Sequence, residues 1–281
     1  MSLYLKFPVI LLVLVCLACN LEKEVEIELP EYNSQIVIES YLSPGKPYTL
    51  LLSRSKPFFK PFKSGTVEDI LDDLLENNAE VIIKYKDQKI NLQNQLLYDG
   101  ESGLLSNYVS SVIVPFDYET EFYLDITLED GEQLFGKTLI PKSISIDSTV
   151  VDFNQDSLGR VLTYFTDPPG EKNFYRRMLH LNNLDSLPEQ DFLMEDDLSD
   201  NQVIAFGTGF EYKKGDSLIN TIFHLTEDYY EFLLSVELSI AANLDPITQP
   251  GHIVSNVTGE NRPLGIFTGL TFIRDTIVIR K

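Results

Sequence analysis

Apolar and polar residues alternate with a period of two through most of this 281-residue chain, the pattern of strands with one buried face. "QIVIESYL" (35–42) and "YTLLLSRS" (48–55) are rich in β-branched and aromatic residues, with the turn signal Ser43-Pro44-Gly45 between them. "AEVIIKYKDQKINLQ" (79–93) predicts a hairpin about Asp87-Gln88. In "ETEFYLDITLEDGEQLFGKTLIP" (119–141), Phe122, Leu124, Ile126 and Leu128 share one face, with Glu121, Asp125 and Thr127 on the other. Asp130-Gly131 then supplies the positive-φ residues of a tight turn. Short strands at this spacing predict antiparallel sandwiches.

Two stretches switch to a helical period. "TVEDILDDLLENN" (66–78) has a Thr66 cap, an acidic first turn, and an apolar stripe of Val67, Ile70, Leu71, Leu74 and Leu75 expected to face inward. A second helix, at about 227–243, places Tyr229, Phe232, Leu233, Val236 and Ile240 on a core-facing stripe. A boundary is expected near residue 152, because Pro168-Pro169-Gly170 opens a new strand set with no Ser/Gly-rich linker before it. The expected fold is therefore mainly β: two closely packed antiparallel sandwich-like units, the first immunoglobulin-like, with two short helices. The first unit covers 35–152 with its helical insert at 66–78, and the second covers 153–281.

The N-terminus reads differently. Lys6 precedes an apolar run over residues 7–17, too short for a good spanning helix, and small Ala18 stands just before Cys19. The only two cysteines, Cys16 and Cys19, have dithiol spacing, but no strand punctuation precedes them. His180, His224 and His252 lie too far apart to complete a zinc site. The Leu17-Ala18-Cys19 context resembles the lipobox of bacterial lipoproteins, although Cys16 replaces the usual aliphatic residue. That resemblance implies a signal peptide over 1–18, lipidation at Cys19 and an acidic tether over 19–34. Each buried acyl methylene contributes about 0.8 kcal/mol, so two or more chains anchor stably. Glu22, Glu24, Glu26 and Glu28 follow the anchor, resembling the acidic tract of surface-exported lipoproteins; they also alternate with Val25, Ile27 and Leu29 as an edge strand would.

Composition narrows the partners. With 22 basic against 43 acidic residues, the formal charge is −21, which disfavours nucleic acid and anionic lipid surfaces. Seventeen Phe and fourteen Tyr supply ample core material, so a disordered chain is excluded.

Taken in order, "LPEYNSQIVIESYLSPGKPYTLLLSRSKP" (29–57), "NNAEVIIKYKD" (77–87), the 118–141 strand pair, "FTDPPGEKNFYRR" (165–177) and "SNVTGENRPLGIFTG" (255–269) resemble the Bacteroidota lipoprotein family called domain of unknown function 4249. The acidic helix at 66–78 departs from that pattern. The family has no established activity. The resemblance implies an outer-membrane address, facing the cell surface, and association with TonB-dependent receptors.

Chemistry is sparse in the sequence. There is no nucleophile elbow, phosphate-cradling glycine loop or paired-histidine metal motif. His180 and His224 read as satisfied core imidazoles, and His252 as a loop residue. Glu195, Asp196, Asp197 and Asp200 in "MEDDLSDNQ" read as a solvated loop without the EF-hand pattern. Arg176 and Arg177 are expected to pair with carboxylates. No catalytic, cofactor or metal residue is assigned. The leading expectation is a non-catalytic, lipid-anchored accessory protein of an outer-membrane uptake complex, contacting its receptor through the loop "NLDPITQPGHIVSNVTGENRP" (243–263). The alternatives are a surface hydrolase assembled from scattered carboxylates and a surface adhesin.

Overall fold

The computed structural model describes residues 32–57, 66–100, 102–196, 202–244 and 251–280. Cys16, Cys19, the signal-peptide segment and the tether up to residue 31 lie outside the described residues. From Ser34 on, the chain clusters as one unit, and it is mainly β.

The first strands are β1 (Ile36–Leu42), β2 (Pro47–Arg54), β3 (Glu80–Tyr85), β4 (Gln88–Asp99), β5 (Leu104–Ile113), β6 (Glu121–Thr127) and β7 (Gln133–Leu139). The period-two reading holds closely here. Ile36, Ile38, Ser40 and Leu42 of β1 are buried while the residues between them are not. Ser40 tolerates the apolar face because its hydroxyl donates to the Thr49 carbonyl at 2.8 Å. Phe122, Leu124, Ile126 and Leu128 are all buried, and each contributes about 1.5–3 kcal/mol by leaving water. Bulges between Asn94 and Leu97 and between Pro47 and Thr49 bend β4 and β5. The sheet thus folds over, packing Ile38, Leu50 and Leu52 in one core with Ile83, Phe122 and Leu124. Two turns differ from expectation. Tyr85 pairs with Gln88, so the first turn is Lys86-Asp87, with Lys86 at φ 51°. In the second only Gly131 has positive φ, at 91°.

The later strands are β8 (Ile146–Phe153), β9 (Gly159–Thr166), β10 (Phe174–Leu181), β11 (Gln190–Glu195), β12 (Val203–Gly207), β13 (Ser217–Leu225), β14 (Val257–Gly259) and β15 (Leu264–Val278). A twelve-stranded sheet runs β11-β10-β13-β15-β1-β2-β5-β4-β3-β6-β7-β14, and a three-stranded sheet runs β12-β9-β8. Tyr175 of β10 and Ile222 of β13 pack with Phe165 and Phe206 of the small sheet, giving the second sandwich.

The expected division at 152/153 does not follow the strand pairing. Residues Leu264–Gly269 of β15 pair with β1, in parallel, and Leu270–Val278 pair with β13. β14 adds to β7, and Val257 and Phe267 belong to the first core. The chain after residue 153 therefore helps to build the first strand set, and a parallel joint interrupts an otherwise antiparallel arrangement. Gly265 permits the joint. Its φ is +120°, and a Cβ there would stand 1.8 Å from the Ile38 carbonyl oxygen.

The helices also differ from expectation. The first, α1 (Val67–Leu74), has the Thr66 cap, whose hydroxyl accepts from the Asp69 amide, but none of its residues is buried and Val67 is 68% exposed. Of its apolar stripe, Ile70, Leu71, Leu74 and Leu75 are partly buried and Val67 stands exposed. The second, α2 (Glu227–Leu244), buries Tyr229 and partly buries Phe232 and Leu233, whereas Ile240 is exposed.

Candidate functional site

Strand alternation gives the C-terminal part of the large sheet two unlike faces. Tyr175, Arg177 and Leu179 of β10 point toward the small sheet, and Arg176, Met178 and His180 point away from it. The second face walls a cleft of about 710 Å³. Tyr41 of β1, Thr49 of β2 and the tip of the β4–β5 hairpin, with Tyr98 and Leu104, line the rest, and Tyr229 and Leu233 of α2 close one end.

Cross-strand register orders the wall. Nearest α2, Phe174, Leu225 and Leu270 align; next come Arg176, Phe223 and Phe272; then Met178, Thr221 and Arg274. Along β13 and β15 the wall passes from leucine, through phenylalanine, to Thr221 and Arg274, while β10 contributes Phe174, Arg176 and Met178. Phe223 and Phe272 have ring centroids 5.5 Å apart, and the Arg274 guanidinium lies 5.3 Å above Phe272. Arg274 Nε donates to Thr221 Oγ1 at 2.9 Å. Asp191 accepts two hydrogen bonds from Arg176, at 2.8 and 2.7 Å, which orients the guanidinium. Tyr41 and Tyr229 meet with centroids 5.6 Å apart. Burial pushes both phenols above the usual tyrosine range.

Expected site residues divide. Arg176 pairs with a carboxylate as anticipated. Arg177 does not: it is fully buried between the sheets, donating to Asn220 Oδ1, Gln190 Oε1 and the Gly207 carbonyl. Burial lowers its pKa to about 10. His224 is a buried core residue, with Nδ1 facing the Lys142 carbonyl at 2.7 Å and Nε2 facing Asn173 Oδ1 at 3.0 Å. The Asn173 amide nitrogen faces three oxygens, of Pro168, Glu171 and Asp196, which fixes its orientation. Two acceptors therefore face the His224 ring, whose neutral form donates to one of them, and burial lowers its pKa. His180 is 7% exposed and its Nδ1 has no hydrogen-bond partner. His252 is an exposed loop residue.

The acidic loop is corrected in part. Asp196 is buried against Asn173, and Glu195 pairs with Lys172 at 2.8 Å. Asp197 and Asp200 lie outside the described residues. No group of three or more metal-ligating side chains occurs among the described residues. A second hollow, of about 780 Å³, carries the carboxylates of Glu119 and Glu121, tied to Lys142 and Lys137. Lys137 holds the Glu121 carboxyl below the usual range, as a base rather than an acid.

The expected receptor loop is also reduced. Residues 245–250 lie outside the described residues. Farther on, Asn256 Nδ2 donates to the Phe267 carbonyl and its Oδ1 accepts from the Phe267 amide, at 2.8 and 2.9 Å. That half of the loop is structural. Sequence reading missed the cleft residues Tyr41, Phe223, Phe272 and Arg274. The available signal was the alternation itself, which puts Leu270, Phe272 and Arg274 on one face.

No curated protein matches this chain. Among solved structures, the crystal structure of GBS pullulanase SAP in complex with maltotetraose aligns over 67% of this chain, at 11% identity and a TM-score of 0.18. The chain spans 22% of that protein's length. Over residues 22–273 the sequence matches the family model described as domain of unknown function (DUF4249), and the chain belongs to that family.

Proposed function

We propose that this chain is a non-catalytic binding protein, held at the outer membrane by lipid on Cys19, that serves a TonB-dependent receptor in nutrient uptake. The observation carrying the binding role is the cleft: its volume and its mixture of aromatic surface with a few oriented polar groups suit a small molecule. The address rests on the Leu17-Ala18-Cys19 stretch and on the following glutamates, which resemble those of surface-facing Bacteroidota lipoproteins. No helix among the described residues is long and apolar enough to cross a membrane. Under this reading the tether raises the effective concentration of the protein near its receptor, so modest affinity suffices.

The test is extraction of the full chain in mild detergent with affinity recovery. A β-barrel partner of TonB-dependent type should be recovered at comparable abundance. Cys19→Ser should leave the protein soluble or uncleaved and abolish that recovery. Recovery of the chain alone, from cells expressing such receptors, would refute the partnership. A Cys19→Ser protein that still fractionates as a processed membrane protein would refute the anchor.

A further inference from the structure

We infer that a monovalent anion of halide size is held between the two sheets by Arg177 and Tyr212, at a site separate from the cleft. Arg177 is the first ground. Its side chain is fully buried, and the guanidinium donates through Nε to Asn220 Oδ1 and through Nη1 to Gln190 Oε1 and the Gly207 carbonyl. Those bonds use three of the five N–H groups that a guanidinium carries. Nη2 is buried and has no hydrogen-bond partner among the described residues. All the acceptors are neutral, so no carboxylate balances the charge by direct contact among the described residues.

Tyr212 is the second ground. It is 4% exposed and packs with Leu179, the next residue on Arg177's face of β10. Its hydroxyl is also buried without a partner among the described residues. The guanidinium and the phenol lie close enough that each shifts the other's titration. Two orphaned groups, both able to donate, therefore share one interlayer. The carboxylates of Glu211, Glu189 and Asp216 act on Tyr212 from outside that layer without bonding its hydroxyl; the first two are exposed, and Asp216 accepts from the Lys213 amide.

Charge decides what the shared partner is. A water accepting from both groups would satisfy the hydrogen bonds but leave a buried guanidinium without a counter-charge, which is costly. Arg177 does not escape by losing its proton, since even its lowered pKa of about 10 leaves it charged at neutral pH. An anion accepts from both groups and supplies the charge as well. Packing sets its size. The Phe206 ring centre lies 5.7 Å from the guanidinium carbon, and Leu179, Leu218 and Val161 pack with Tyr212, which suits a single atom rather than a molecule with a body. Both groups are closed to solvent, so the ion is taken up as the sheets close, and it stabilises the fold.

Thermal unfolding of the full chain in non-ionic detergent tests this, with chloride exchanged for sulfate at constant ionic strength and pH. Exclusion from the protein surface favours sulfate; a halide site reverses the order. The melting temperature should be higher in chloride, rising by about 3–5 °C for each ten-fold increase once the site is mostly filled. Tyr212→Phe removes a hydroxyl that bonds nothing else, so its melting temperature in sulfate should match the parent's. It should need roughly ten-fold more chloride for the same rise. Arg177→Met should abolish the chloride dependence; if that variant fails to fold, Tyr212→Phe still gives the comparison. Crystals grown from bromide should show an anomalous peak between Arg177 Nη2 and Tyr212 Oη. A parent more stable in sulfate than in chloride overturns the anion. So does an unchanged chloride response in Tyr212→Phe or Arg177→Met, or a water without anomalous signal at that position.

Discussion

Gly265→Ala tests whether the parallel joint between β1 and β15 holds the molecule together. The added Cβ would stand 1.8 Å from the Ile38 carbonyl oxygen and 2.8 Å from the Ile38 nitrogen and carbonyl carbon. Real Cβ atoms do not approach below 3.0 Å, so the strands must part by roughly 1 Å at a seam whose neighbours are fully packed. Alanine at φ +120° adds backbone strain of about 1–3 kcal/mol. Each buried backbone group that loses its partner adds about 1–3 kcal/mol. Together these give a loss of about 4 kcal/mol or more, a large share of the 5–15 kcal/mol that holds typical domains folded. For a body of this size the melting temperature should fall by about 10 °C. Thermal unfolding followed by circular dichroism measures it. Gly131→Ala is the control, since φ there is +91° but nothing lies within 4 Å of the added carbon; its loss should be near 1 kcal/mol. Equal losses from the two substitutions would refute the close-approach argument and leave only backbone strain.

Asn107 acts where the β2–β5 ladder ends, accepting from the Leu52 amide at 2.8 Å and donating to the Leu52 and Glu76 carbonyls and to Asn77 Oδ1. Asn107→Ala should cost about 2–4 kcal/mol in urea unfolding, and Asn107→Asp more, because its oxygen would face three acceptors; an Asp variant as stable as the parent sinks this account. Leu71→Asp should cost about 1–2 kcal/mol, because Leu71 is only partly buried, and a loss below about 0.5 kcal/mol would show that nothing covers the stripe. Burial, and then the charge of Arg274, hold His180 below its ordinary value of 6.5. The unfolded chain therefore binds the proton more readily, and this contribution is complete above about pH 6.5 and lost as pH falls through the folded value. His180→Gln should flatten that acid-side decline in the urea midpoint, and an unchanged profile would exclude the assignment.

Local pattern carried most of the strand content, and its failures have physical causes. β6 was legible because Phe122, Leu124 and Ile126 repeat every second residue beside an Asp-Gly turn. The α1 stripe has the right period, yet periodicity reports which residues share a face and not whether a partner covers it. The parallel joint was invisible because Val37 and Leu264 are 227 positions apart in the chain and nothing local marks their pairing. The cleft escaped for a related reason. Phe272 and Arg274 are ordinary strand residues until β10 and β13 align Arg176 and Thr221 beside them. Arg177 shows the converse: it reads as a partner for carboxylates, and only its strand face places it among Asn220, Gln190 and the Gly207 carbonyl.

The placement of β15 also sets the timing of assembly. One edge of β1 has no partner until residues 264–269 reach it, so the earliest strand of the body waits for one of the last. Loop closure over such a separation is slow, and nearby antiparallel hairpins such as β3–β4 and β6–β7 should form first. A chain made from its N-terminus onward thus carries an open, apolar strand edge through most of its synthesis. Completion of β15 closes that edge and builds the cleft wall in the same step, so the cleft exists only in a molecule whose chain has been made through residue 278.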